Sequence, residues 1–248
     1  MATHTPEERL AEEEEHVEGL DGTGKDMSRI IGISDAVFAF SMTFLVITLV
    51  LPQVGASGKY PNILDYFRNE WSSLVAYLIS FFVITAWWSN HRRIFSPIVR
   101  YDTLLVRFNN LFLLIIAITP FLVVILYDYG PSNFLGPGSQ STQLAVALFA
   151  AVQVIGGLTM LAIWHHSTTH HRLVEERLPA IWIRRTEQGS IYSTGVFAVS
   201  IPVAFVSPFI AMLLWIAMIF GLSRIRRKHR PHPTRPSSSP MESKAPPS

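Results

Sequence analysis

Arg29-Ile30-Ile31-Gly32-Ile33-Ser34-Asp35 opens a run in which Ala36 to Leu51 carries no further charge. Sixteen such residues after a two-residue polar head are a membrane crossing in the making, because about 20 apolar residues span the hydrocarbon core. A carboxylate at the mouth of such a segment costs on the order of a few kcal/mol without a partner. The stretch therefore predicts both a transmembrane helix and a set of polar side chains on other helices that meet Ser34 and Asp35.

The rest of the chain agrees with the first point. Apolar residues make up 49% of the sequence, and they are gathered into long runs with the charges between them and at the ends. That distribution is of a membrane protein, not of a large soluble core. Ile30 to Leu51 is the first run, interrupted by Asp35 and stopped by Pro52; Trp71 to Asn90 is the second. Phe108 to Tyr127 is the third, with a kink or thinning expected at Pro120, and Leu144 to Trp164 is the fourth. Gly189 to Ser223 is too long for one crossing, and Ser207-Pro208 splits it into two, since proline restricts the residue before it. The expected fold is all-α, with six transmembrane helices.

Basic residues set the orientation. Arg92, Arg93, Arg100 and Arg107 lie between the second and third runs, and Arg172, Arg177, Arg184 and Arg185 between the fourth and fifth. Arg224, Arg226, Arg227, Lys228 and Arg230 follow the sixth, whereas Asp128 to Gln143 has no Lys or Arg. This alternation puts both termini in the cytoplasm. Residues 1–27, acidic through Glu12 to Glu15, read as a disordered cytoplasmic tail and not as a signal peptide. Residues 28–226 form the six-helix membrane domain, and 227–248 are a Pro/Ser-rich disordered tail. The chain has no cysteine, so disulfides and thiolate metal sites are excluded.

This topology brings polar groups to one depth. Ser34 and Asp35 start the first helix at its cytoplasmic end, Trp88, Asn90 and His91 finish the second there, and Asn109 and Asn110 open the third. The layer reads either as a proton or ion relay or as an interhelical clamp, the commoner use of polar residues between membrane helices. Arg29 and Asp35 are six residues apart and lie on different faces of one helix, so each looks to neighbouring helices. Along that helix Phe40, Phe44 and Ile47 recur at i, i+4 and i+7, while Ser34, Ser41 and Thr48 recur every seven residues on another stripe. An apolar stripe of this kind is, taken alone, more often core or lipid-facing than pore-lining.

The opening stretch resembles the Arg-x-x-x-Phe-Ser-Asp signature of the transmembrane protein 175 family, with Ile33 in place of the phenylalanine. Tyr77, Ser80-Phe81, Ile84, Trp88, His91 and Phe95 resemble that family's second helix, and Asp102, Asn109, Leu111 and Pro120 its third. The resemblance implies a potassium-selective cation channel built as a homotetramer, with four first helices around a central pore. It implies an apolar constriction at Phe40, Phe44 and Ile47 with a hydroxyl layer at Thr43, in place of a carbonyl filter. Phe40 is bulkier than the family's usual isoleucine or leucine, and four such rings would close a dry hydrophobic gate. Arg29, Ser34, Asp35, Trp88, Asn90, His91 and Asn109 then form the interhelical polar network. The implied location is a bacterial plasma membrane, with K+ as permeating ion and no cofactor.

Other signals carry less. Ser193-Thr194-Gly195-Val196-Phe197 has the look of a potassium filter but no pore-helix hairpin around it. His165, His166, His170 and His171 offer imidazoles at metal-ligand spacing without a carboxylate among them, and read as an interfacial cluster. The basic run Arg224, Arg226, Arg227 and Lys228 follows a membrane helix directly, which favours an anionic-lipid contact over nucleic acid. No nucleophile–base pair, phosphate loop or paired acids support an enzyme. The alternative to a channel is a proton-coupled small-solute transporter using Asp35 and His91.

Overall fold

The computed structural model describes residues 24–48, 62–69, 71–129, 138–175 and 177–227. The acidic tail before Gly24, the segment around Pro52 and the Pro/Ser-rich tail after Arg227 lie outside the described residues. The helices are α1 (Gly24–Thr48), α2 (Ile63–Asn69), α3 (Trp71–Phe95), α4 (Thr103–Tyr129), α5 (Gln140–Thr168), α6 (Ala180–Val206) and α7 (Pro208–Arg227), with a 3-10 turn at Thr169–His171. Among the described residues the fold is all-α. Five helices carry stretches long and apolar enough to cross a membrane: Met27–Ile47, Leu74–Phe95, Thr103–Tyr129, Gln140–His171 and Ala180–Val206. The sixth apolar helix, in α7, is shorter, covering Pro208–Ile219.

Every crossing extends past its apolar run. α1 opens at Gly24, inside the stretch read as tail, and α3 runs on to Phe95, carrying Arg92 and Arg93 in its last turn. Arg107 lies within α4, and Arg184 and Arg185 lie in the first turns of α6, not in a loop. The reason is that a helix satisfies its backbone internally and has no cause to stop where hydrocarbon gives way to headgroups. α4 likewise continues through Pro120 as one helix, and the Thr119 hydroxyl donates to the Ile115 carbonyl (2.8 Å) in the turn where proline removes a backbone donor. The α6–α7 break falls at Ser207, whose extended backbone leads into Pro208 at the first position of α7.

α2 has no counterpart in the hydropathy pattern. Asn62 and Asp65 cap it reciprocally: the Asp65 N–H donates to Asn62 Oδ1 (3.0 Å) and Asn62 Nδ2 to Asp65 Oδ2 (2.7 Å). Asn62 is thus the N-cap of α2, with Asp65 at its third position, a pattern present in the sequence.

The core runs through α1 and α3 to α7. Trp87 Nε1 donates to Gln153 Oε1 (2.8 Å), Gln153 Nε2 reaches Thr119 Oγ1 (3.4 Å), and Trp215 Nε1 donates to Ser200 Oγ (2.9 Å). These fully enclosed bonds join α3 to α5 and α4, and α7 to α6, as polar glue. α5 and α6 meet where Gly157 faces Thr194, so closely that a Cβ at 157 would run into the threonine hydroxyl. Gly157→Val is expected to separate the two helices and to destabilise the bundle by about 1–3 kcal/mol, read as a lower melting temperature in detergent. An unchanged melt would mean that the α5–α6 contact is not tight.

The loops after α3 and α5 are tied together. The N–H groups of Val99 and Arg100 donate to the Leu173 carbonyl (2.9 and 3.2 Å), and that of Glu175 to the Pro97 carbonyl (3.1 Å). Asp102 stands at the junction, accepting from the Leu105 N–H (2.8 Å) as the cap of α4 and pairing with His166 Nε2 (2.8 Å) and Arg172 (3.6 Å). Partial burial works to raise the Asp102 pKa, but the Leu105 N–H, His166 and Arg172 outweigh it and hold the carboxyl below its ordinary 3.8. A depressed folded-state pKa contributes stability above the unfolded value that is lost as pH falls through the folded one. The melting temperature is therefore expected to drop on acidification below about pH 4, with the Asp102 share of that drop missing in Asp102→Asn.

Candidate functional site

Ser34 and Asp35 enter the bundle from α1 and meet side chains from α3 and α4. Trp88 Nε1 donates to Asp35 Oδ1 at 2.8 Å, and the guanidinium of Arg92 stands 5.2 Å from the centre of the Trp88 ring. Asn109 Nδ2 donates to Ser34 Oγ (3.1 Å), its Oδ1 lies 3.0 Å from His91 Nε2, and the Ser34 hydroxyl donates to the Ile30 carbonyl (2.9 Å). Ser34 and His91 have no solvent exposure. His91 is boxed by aromatic rings: Phe95 at 4.1 Å and Phe112 at 5.9 Å are stacked on it, and Phe38 meets it edge-on at 5.5 Å.

The layer thus consists of two strands of hydrogen bonds, Asp35–Trp88 and Ser34–Asn109–His91. Asp35 and His91 do not bond each other; His91 Nδ1 is buried without a hydrogen-bond partner. Asn90, at the same depth, is turned away and donates to Ser190 Oγ of α6 (3.1 Å). Arg29 is exposed on α1. Asp35 and Trp88 also line an apolar cavity of about 440 Å3 between α1 and α3, together with Phe38, Met42 and Phe81.

α1 has two unlike faces. Ser34, Phe38, Ser41 and Leu45 recur at i, i+4, i+7 and i+11 and are buried against α3 and α4. The opposite stripe holds Ile33, Phe40, Thr43, Phe44 and Ile47, all exposed, with Phe40 at 65% and Ile47 at 67%. Only 22% of the α1 span is buried, against 56% for α5. The Phe40 and Phe44 rings stack on each other at 5.5 Å. Thr43 donates its hydroxyl proton back to the Phe40 and Ala39 carbonyls (2.9 and 3.1 Å), which leaves the oxygen lone pairs directed outward as acceptors. Thr48, the third member of the hydroxyl stripe, has no described side chain.

Ser193, Thr194 and Phe197 lie inside the unbroken α6, where Thr194 Oγ1 donates to the Ser190 carbonyl (2.8 Å) and Phe197 is fully buried. No row of free carbonyls exists there. Among the described residues no three His, Cys, Asp or Glu side chains are placed to hold a metal. Sequence reasoning missed the pairing of His166 with Asp102, 64 positions apart, for which spacing offers no signal.

A bundle of apolar helices with an intramembrane carboxylate, imidazole and amide, and one helix bare on a stripe of aromatic and hydroxyl residues, defines an integral membrane protein. The family described as endosomal/lysosomal potassium channel TMEM175 matches residues 29–120, the segment that holds α1, α3 and the polar layer. The chain is 27% identical over 217 residues to a potassium channel of Streptomyces collinus, covering 87% of this chain and 98% of that protein. It is 26% identical over 190 residues to a potassium channel of Chamaesiphon minutus, covering 75% and 88%. The endosomal/lysosomal proton channel TMEM175 of Danio rerio is 21% identical over 197 residues, 79% of this chain but 34% of that longer protein. In fold, the chain is similar to the crystal structure of a lysosomal potassium-selective channel TMEM175 homolog from Chamaesiphon minutus, with a TM-score of 0.66, 22% identity, and 81% and 97% coverage of the two chains. Over residues 29–120 the chain carries the sequence pattern of the TMEM175 family, and its fold is similar to that of a solved homolog.

Proposed function

We propose that the protein is a potassium-selective cation channel of a bacterial plasma membrane, assembled as a homotetramer whose central pore is lined by α1. Two relatives are named as potassium channels. The observation that carries the pore assignment is the bare stripe of α1, opposite the face that packs on α3 and α4. A stripe this apolar suits lipid, but Thr43 within it gains nothing from lipid and gains an ion from an axis. One six-helix unit has a single first helix and cannot enclose a pore; fourfold symmetry supplies four.

In this arrangement Phe40, Phe44 and Ile47 form apolar rings and Thr43 a ring of oxygens among them. Cations must shed part of their water at Phe40 and Phe44, and the Thr43 oxygens replace some of it. The faces of the phenylalanines offer weak cation attraction without holding the ion. The layer of Ser34, Asp35, Trp88, His91 and Asn109 fixes α1 against α3 and α4 and so sets the pore radius; its role is the clamp. Both termini are cytoplasmic, and the basic end of α7 with Lys228 rests on anionic lipid.

The test is potassium and sodium flux in liposomes that hold the purified protein. Potassium flux is expected to exceed sodium flux. Thr43→Val, which keeps the shape and removes the oxygen, is expected to lower that ratio by about tenfold, the effect of roughly 1.4 kcal/mol. No flux of either ion under a potassium gradient would sink the channel, and an unaltered ratio in Thr43→Val would sink the hydroxyl layer.

A further inference from the structure

α5 ends in a turn whose backbone is strained. His170 and His171 have φ of 55° and 52°, the left-handed region that non-glycine residues seldom enter. On a continued helix His170 would lie roughly 140° round from His165. The turn instead brings both to one cavity of about 490 Å3, with His166 and Arg172 beside them. Phe108 of α4 and Ala162 of α5 form its apolar floor.

The chemistry of this cavity is one-sided. Three imidazoles and a guanidinium line it, and no carboxylate does. Asp102 is not part of the lining but contacts two of its groups, accepting from the Leu105 N–H and pairing with His166 Nε2 and Arg172, while the Arg172 side chain stays 62% exposed. A guanidinium and imidazole N–H groups suit a phosphate group, and Arg172 can offer it a fork of two donors. The position suits a lipid: the floor comes from two membrane-spanning helices at the point where they pass into the basic loop, which is headgroup depth.

We propose that this cavity binds the phosphate-bearing headgroup of an anionic phospholipid, with the chain of the lipid lying against Phe108 and Ala162. The assignment rests on the chain spanning a membrane and is independent of conduction. It is distinct from the diffuse lipid contact at the end of α7, because it is a cavity with directed donors.

The full-length protein in nanodiscs is tested for retention of phosphatidylglycerol against phosphatidylcholine by native mass spectrometry, with inorganic phosphate as competitor. Phosphatidylglycerol is expected to be retained about tenfold better. His165→Gln with Arg172→Gln should abolish that preference, whereas Arg226→Gln with Arg227→Gln on α7 should leave most of it. Arg172→Lys, which keeps the charge and the fold of the turn, should reduce retention to an intermediate level. Equal retention of the two lipids, or loss of preference only in the α7 variant, would overturn the proposal. Displacement by millimolar inorganic phosphate would assign the cavity to free phosphate and overturn the lipid. Potassium flux read on the same preparations separates the two inferences, since lipid preference can fail with flux intact.

Discussion

Phe40→Ala is expected to raise potassium flux through the reconstituted protein by about tenfold or more and to bring the potassium-to-sodium ratio toward one. Phe40 is the more exposed of the two phenylalanines on the bare stripe of α1, and within its own chain its ring stacks on Phe44. In the proposed tetramer, four such rings on a common axis leave a passage too narrow and too apolar to stay wet. Alanine removes the rings, admits water and lowers the dehydration barrier; each 1.4 kcal/mol of that barrier is about tenfold in rate. Phe121, on α4, is exposed to a similar degree (60%) but lies outside the α1 stripe. Phe121→Ala should leave flux unchanged. If Phe40→Ala also leaves flux and ratio unchanged, α1 does not line the pore at this position.

Asn109→Leu is expected to cost about 2–4 kcal/mol of stability, because it strips partners from two buried groups at once. Ser34 Oγ and His91 Nε2 are both fully enclosed. Hydrogen bonds between membrane helices are often worth less than about 1 kcal/mol, but that figure applies where the released group finds another partner. The rings of Phe38, Phe95 and Phe112 around His91 offer none. Asn90→Leu removes one bond, to Ser190, and should cost less. The comparison is made by denaturation in mixed micelles with the helical circular dichroism as readout. An Asn109→Leu variant as stable as the parent would show that apolar packing alone holds α1 in place.

The crossings were legible because hydrophobic run length and proline are strong signals. Ser207-Pro208 marks the break between α6 and α7 at the residue where the chain turns. Their ends were less legible, since hydropathy registers where lipid stops and not where the helix does: Lys25 and Asp26 sit inside α1, and Arg184 and Arg185 inside α6. The polar layer was legible in depth but not in azimuth. Trp88, Asn90 and His91 share a level, yet about 100° of rotation per residue sends Asn90 to α6 while its neighbour meets Asn109. The Asp102–His166 pair lies beyond reading from one sequence, because it depends on how two loops fold over each other.

The side chains of Ser34 and Asp35 bond α1 directly to α4 and α3, while farther along Ser41 Oγ is buried without a hydrogen-bond partner and Thr43 bonds to its own helix. Mechanically, α1 is a lever pinned near one end. At 1.5 Å per residue, Phe40 is only about 8 Å from the pin and Ile47 about 18 Å. A tilt of the helix that leaves the pin intact therefore displaces Ile47 more than twice as far as Phe40. In the proposed tetrameric pore, the Phe40 ring is the stiff part of the aperture, and the Ile47 ring is the part that a small tilt can dilate.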